Sequence, residues 1–154
     1  MRLGGGTGGG AIAVIDRQRS ARVDRERIVR TVAHALRREG LSRGEVTVLL
    51  VGDRRIRELN RRWRSLDRPT DVLAFSQTEG PGGRLQPAVL GDIVISVATA
   101  ARQARAAGHS LARELDLLVV HGVLHLAGFE HESGPAGARR MRRREAAILA
   151  GWRG

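Results

Sequence analysis

The chain has no cysteine, no lysine, no tyrosine and a single asparagine. Without a thiol there is no disulfide framework, no cysteine-ligated zinc site and no cysteine nucleophile. No apolar run reaches the ~18–20 residues of a membrane span, and no signal-peptide pattern opens the sequence. A soluble protein is expected, most simply a cytoplasmic one with no membrane partner. The lack of lysine makes all 27 basic residues Arg, set against 16 acidic ones for a net charge of +11. A field of that sign favours polyanions, either nucleic acid or an anionic membrane surface. The abundance of Ala, Gly and Arg also marks a broad compositional bias, so a share of the arginines reports that bias and not a ligand.

The 154 residues are 42% apolar, which suits one domain with one core and excludes a disordered chain. Residues 1–10 are mostly Gly and read as a flexible tail, leaving 11–154 as a single domain. Strands are expected at Ala11–Ile15, Val46–Val51, Asp71–Phe75 and Leu90–Ser96. Helical spacing follows Asp24 up to Gly40, with Ile28, Val29, Val32 and Leu36 three or four apart. Asp53 reads as the N-cap of a second helix bearing Ile56 and Leu59 on one face. The segment from Thr78 to Pro87 reads as a loop. Further helices are expected over Val97–Ala107, from a Ser110 cap to about Ala127, and from about Gly137 to Ala150. Strands and helices mix without strict alternation, which predicts an α+β fold with a small mixed sheet of about four strands.

The strongest chemical signal is HGVLHLAGFEH, where three of the five histidines fall within eleven residues. His121 and His125 are four apart on a predicted helix, so their rings leave one face a turn apart. Gly128 suits the left-handed turn that ends such a helix and brings His131 back as a third nitrogen. A lone histidine on an apolar face is usually a core residue; three at this spacing make a metal site the better reading. Three imidazoles with an open position are how catalytic zinc is held, although nickel or copper also suits the donors. The spacing is that of the metzincin proteases, HExxHxxGxxH, but Gly122 stands where the peptidase base Glu belongs. Glu130 lies beyond the expected helix end and is a weak substitute.

HGVLHLAGFEH resembles the signature of the YbeY family, metal-dependent endoribonucleases of bacterial ribosomal RNA maturation. LNRRWRSLDRPTDVLAF (Leu59 to Phe75) is similar to that family's Leu-Asn…Arg…Pro-Thr-Asp-Val-Leu-Ser-Phe block, and LGDIVIS (Leu90 to Ser96) to its Gly-Asp-Ile strand. Met141, Glu145, Ile148, Leu149 and Gly151 resemble its closing helix. Departures are Glu130, where the family usually has Asp, and Ala74-Phe75-Ser76 in place of Ser-Phe-Pro.

The resemblance implies one zinc per chain on His121, His125 and His131, and a functional role for Arg64. A guanidinium suits a phosphodiester because its planar fork holds two phosphate oxygens. The implied activity is zinc-dependent cleavage of single-stranded RNA, in maturing the 3′ end of small-subunit ribosomal RNA and in ribosome quality control. RNA and the ribosome are then the partners. The competing readings are a metallopeptidase on the same three histidines and a non-catalytic zinc protein of the ribosome. Asp71 and Asp92 are expected at strand starts, as turn or cap residues or as groups orienting a ligand histidine. Arg61 and Arg62 are expected in solvent, and the Arg139–Arg144 run reads as a solvated face or a phosphate track. Trp63 and Trp152 are candidates for base stacking or for core anchors.

Overall fold

Burial alternates along Glu45–Val51, with Val46, Val48 and Leu50 sent to one face of the sheet and Thr47, Leu49 and Val51 to the other. Both faces are apolar because helices cover both. The computed structural model describes residues 2–3, 11–77, 89–129 and 134–154. Its strands are β1 (Arg2–Leu3), β2 (Ile12–Asp16), β3 (Glu45–Val51), β4 (Val72–Ser76) and β5 (Val89–Ser96). The helices are α1 (Arg25–Arg38), α2 (Asp53–Arg64), α3 (Val97–Ala107), α4 (Leu111–Leu126) and α5 (Gly134–Leu149).

The sheet order is β1-β2-β3-β5-β4. β2, β3 and β5 run parallel, and β1 and β4 close the two edges antiparallel. The expected α+β fold with a mixed sheet is therefore present. Its fifth strand comes from residues 2–3, inside the stretch expected to be a tail; residue 1 and residues 4–10 lie outside the described residues.

The larger core lies between the sheet face of Val48, Leu50, Ile93 and Ile95 and helices α1 and α4, with Met141, Ile148 and Leu149 of α5 closing it. The smaller core lies under α2, where Ile56 meets Val51, Leu73 and Val94. α4 is mostly buried because it sits at the centre of the larger core, touching α1, α3, α5, β4 and β5. Its N-cap is Ser110, whose side chain accepts from Arg113 N, as Asp24 and Ser96 do for α1 and α3.

Asp53 is not the N-cap of α2; that residue is Gly52, and Asp53 is the first helical residue. Its carboxylate has a different task, accepting from Ser96 Oγ (2.6 Å), Thr99 Oγ1 (2.6 Å) and Arg102 (2.8 Å) and so tying the start of α2 to that of α3. Asp92 does not begin a strand. It lies inside β5, level with Phe75 of β4 and Thr47 of β3. The last helix begins three residues earlier than expected, at Gly134.

A polar knot fastens α5 and the residues after it to α1. Arg27 grips Asp116 with two hydrogen bonds (3.2 and 2.7 Å), and Thr31 Oγ1 donates to the same carboxylate at 3.0 Å. Trp152 Nε1 donates to Thr31 Oγ1 at 3.2 Å, and its rings stack on His34 at 4.2 Å. His34 Nε2 in turn donates to Ile148 O at 2.7 Å. One turn earlier on α5, Arg144 binds Glu39 Oε1 (2.6 Å) and Arg38 O (2.8 Å).

Candidate metal centre

α4 supplies two histidines on one face because a step of four helical residues is just over one turn. His121 and His125 stand with ring centroids 4.4 Å apart and their Nε2 atoms 2.8 Å apart. On its other side, His121 Nδ1 meets Glu145 Oε1 of α5 at 2.7 Å. A carboxylate only accepts, so Nδ1 is the protonated nitrogen of His121 and the Nε2 lone pair points at His125. His125 is held neutral. Burial is the main cause, with His121 and Arg64 adding to it and Glu145 opposing, and its pKa falls to about 4.

With the His121 proton on Nδ1, the hydrogen bond between the rings is donated by His125 Nε2. A metal taking the place of that proton would meet two converging Nε2 atoms, one ring backed by a carboxylate, a donor set that suits a transition metal. Two nitrogens at ~2.0–2.1 Å from a tetrahedral zinc would be roughly 3.3 Å apart, so the rings, 2.8 Å apart at Nε2, would open by about half an ångström to hold one. His131 and Glu130 lie outside the described residues, so the third nitrogen has no stated position. Among the described residues no group of three His, Cys, Asp or Glu side chains is close enough to hold a metal.

Gly122 faces the sheet. A Cβ there would lie 2.8 Å from Cγ2 of Ile93, a fully buried side chain, so α4 packs on β5 only without a side chain at 122. The position that carries the base in metzincins is thus turned into the core here. At the C-terminal end of α4, Gly91 of β5 has φ +146°, and a Cβ on it would run into Phe75 O and lie 2.9 Å from Cδ2 of Leu126. That close approach brings β4 and β5 up against the end of the histidine helix.

A family profile described as Endoribonuclease YbeY matches residues 13–153. The chain belongs to the YbeY family. The endoribonuclease YbeY of Geobacter metallireducens is 41% identical over 90% of this chain and 93% of its own length. That of Salinispora tropica is 45% identical over 90% and 94%. The solution structure of TM1509 from Thermotoga maritima matches with a TM-score of 0.58 at 25% identity, covering 92% of this chain and 91% of that one.

Arg64, matched to the YbeY motif, is the last residue of α2 and is exposed. Its charge reaches His125, where it helps to depress the pKa. Arg61 and Arg62 are exposed, as expected. Asp71 precedes β4; it accepts from Val72 N and Gln103, and among the described residues it does not touch a histidine of the pair. Asp92 faces the α2 side of the sheet, away from them. The group that orients His121 is Glu145, known from the sequence only as part of the YbeY closing helix. Its signal was faint: an acidic residue inside an Arg-rich helix whose neighbour Arg144 is drawn to α1.

Arg139, Arg142 and Arg143 share one exposed face of α5, while Arg144 turns inward to Glu39. Trp152 is a core anchor, and Trp63 is 61% exposed. No described helix is long and apolar enough to cross a membrane.

Proposed function

We propose that this chain is a zinc-dependent endoribonuclease that cuts single-stranded ribosomal RNA, with His121, His125 and His131 as the metal ligands and Arg64 as the phosphate contact. The observation carrying the reading is the meeting of the His121 and His125 Nε2 atoms at 2.8 Å with Glu145 on the far nitrogen of His121. Membership of the YbeY family supplies the reaction class, and the net charge of +11 suits a polyanion.

Zinc at such a site supplies Lewis acidity toward a phosphoryl oxygen and toward the attacking water. The side chains supply the rest. His121 offers its Nε2 lone pair because Glu145 keeps the proton on Nδ1, and His125, kept neutral by burial, would offer its own once its ring proton sits on Nδ1. The guanidinium of Arg64 holds two oxygens of the scissile phosphate and offsets charge that grows on them. Maturation of the small-subunit RNA 3′ end and action at the ribosome, in the cytoplasm, complete the proposal.

The metallopeptidase reading is disfavoured by packing. A Glu at position 122 would need the room occupied by Ile93. The deciding experiment measures bound zinc and cleavage of a single-stranded RNA and of casein, for wild type and His125→Ala. About one zinc per chain, chelator-sensitive RNA cleavage and intact casein are expected, with both zinc and cleavage lost in the variant. Casein cleavage without RNA cleavage would reverse the assignment.

A further inference from the structure

On the α2 side of the sheet, across from the larger core, lies a cavity of about 470 Å³. The sheet floor is a row across three strands: Phe75 of β4 beside Asp92 of β5 beside Thr47 of β3. One wall is the stripe Arg55, Leu59 and Trp63, which are four residues apart and share a face of α2. Trp63 meets Phe75 edge to face, with centroids 6.3 Å apart, and Arg62 lies 5.3 Å from the indole centroid. A tryptophan 61% exposed at the mouth of a cavity this size is poor economy for a fold and good material for a flat aromatic ligand.

Cations surround the aromatic wall: Arg55 lines the cavity itself, and Arg61, Arg62 and Arg64 are exposed on the turn of α2 that carries Trp63. Arg64 also acts on His125, so the same helix end borders both the histidine pair and the cavity. Nearby arginines, an aromatic wall and a floor that pairs Phe75 with the polar Asp92 and Thr47 suit a single-stranded polynucleotide with its bases turned out of the stack.

The acid on the floor bears on the choice of base. Burial pushes the Asp92 carboxyl pKa up, and among the described residues no donor offsets that burial. A carboxylate on that floor offers two acceptor oxygens to whatever enters the cavity. The Watson–Crick edge of guanine carries two donors side by side, N1–H and the N2 amine. Adenine and cytosine carry one donor beside an acceptor, and uracil carries one donor between two acceptors.

We propose that this cavity is a nucleobase subsite for the nucleotide next to the scissile phosphate, with Trp63 stacking the base and Asp92 selecting guanine. The proposal rests on the endoribonuclease reading and adds a sequence preference to it. Alternation places Asp92 on the face away from the histidines, so its part is recognition and not chemistry.

The test is equilibrium binding of labelled oligouridylates, with and without one guanosine or inosine, to the chain in chelator so that nothing is cut. Trp63→Ala should weaken binding about tenfold, since stacking one base contributes ~1–3 kcal/mol, and Trp63→Phe should restore most of it. In wild type the guanosine oligomer should bind more tightly than the inosine one, which lacks the N2 amine, and Asp92→Asn should remove that difference. Circular dichroism shows whether each variant folds. Binding unchanged in both Trp63→Ala and Asp92→Asn would overturn the subsite and leave the cavity to a protein partner. Loss with Trp63→Ala but equal affinity for all oligomers in wild type would overturn the guanine choice. Cleavage of RNA by zinc-loaded wild type is scored separately: its absence counts against the endoribonuclease reading, whatever the binding shows.

Discussion

Glu145 and His121 are 24 residues apart in sequence and 2.7 Å apart in space, joined across two helices through the Nδ1 proton. The carboxylate thereby decides which nitrogen of His121 is presented to the other histidine. Replacing Glu145 by Ala should lower zinc affinity roughly 10–100-fold, as loss of a carboxylate behind a metal-binding imidazole generally does. Glu145→Gln keeps an acceptor for the same proton and should retain most of the affinity. Competition with a chromophoric chelator measures both variants. Nitrogen NMR of His121 should report a mixed tautomer in the Ala variant alone. Equal zinc affinity in wild type and Glu145→Ala would remove this role from Glu145.

The Gly122–Ile93 contact makes a second prediction. Gly122→Glu recreates the peptidase motif in sequence, yet it should yield no casein cleavage. It should also destabilise the fold by about 1–3 kcal/mol, the usual cost of forcing atoms into a packed core. Urea denaturation gives the second number. A folded variant of wild-type stability would mean that α4 does not press on β5 as described.

Acid should unfold the metal-free protein partly through His125. Its folded pKa of about 4 is below the ordinary value of 6.5, mainly because it is buried. Between those values the unfolded chain binds the extra proton and the folded chain does not. Stability present above pH 6.5 is therefore lost progressively as the pH falls toward 4. Thermal midpoints in chelator should show that decline in wild type and a shallower one in His125→Gln.

Arg64 and the α5 arginines should separate kinetically. Arg64→Ala should lower turnover strongly with zinc content and fold intact, and Arg64→Lys should recover only part, because an ammonium lacks the two-point fork. Neutralising Arg142 and Arg143 should weaken RNA affinity and flatten its salt dependence, with turnover at saturation little changed. A contact that tightens at the transition state acts on turnover, whereas one that treats substrate and transition state alike does not. If Arg64→Ala changed only affinity, Arg64 would be one more surface contact.

Elements with local signals were legible in the sequence. Ser110 caps α4 where the cap chemistry said it would. The i, i+4 histidine pair needed only helical periodicity. What was not legible depended on tertiary neighbours. Asp53 looks like any N-cap until Ser96, Thr99 and Arg102 are seen to claim its carboxylate. Asp92 looks like a strand start until β3 and β4 are seen to pair on either side of it. Glu145 acquires a role only when α5 folds back on α4. The choice between Trp63 and Trp152 as anchor was open for the same reason: what separates them is that Trp152 meets Thr31 and His34, more than a hundred residues away.

The knot among Arg27, Thr31, Asp116, His34 and Trp152 has a consequence for the order in which the molecule is made. The first half of the chain contains β2, α1, β3, α2 and β4, enough to begin a sheet but with neither histidine of the pair. Glu145 comes later still, and the helix that carries it is fastened by Arg144 and then by Trp152, the last of these residues to be synthesised. A growing chain can therefore assemble its scaffold well before it can orient His121.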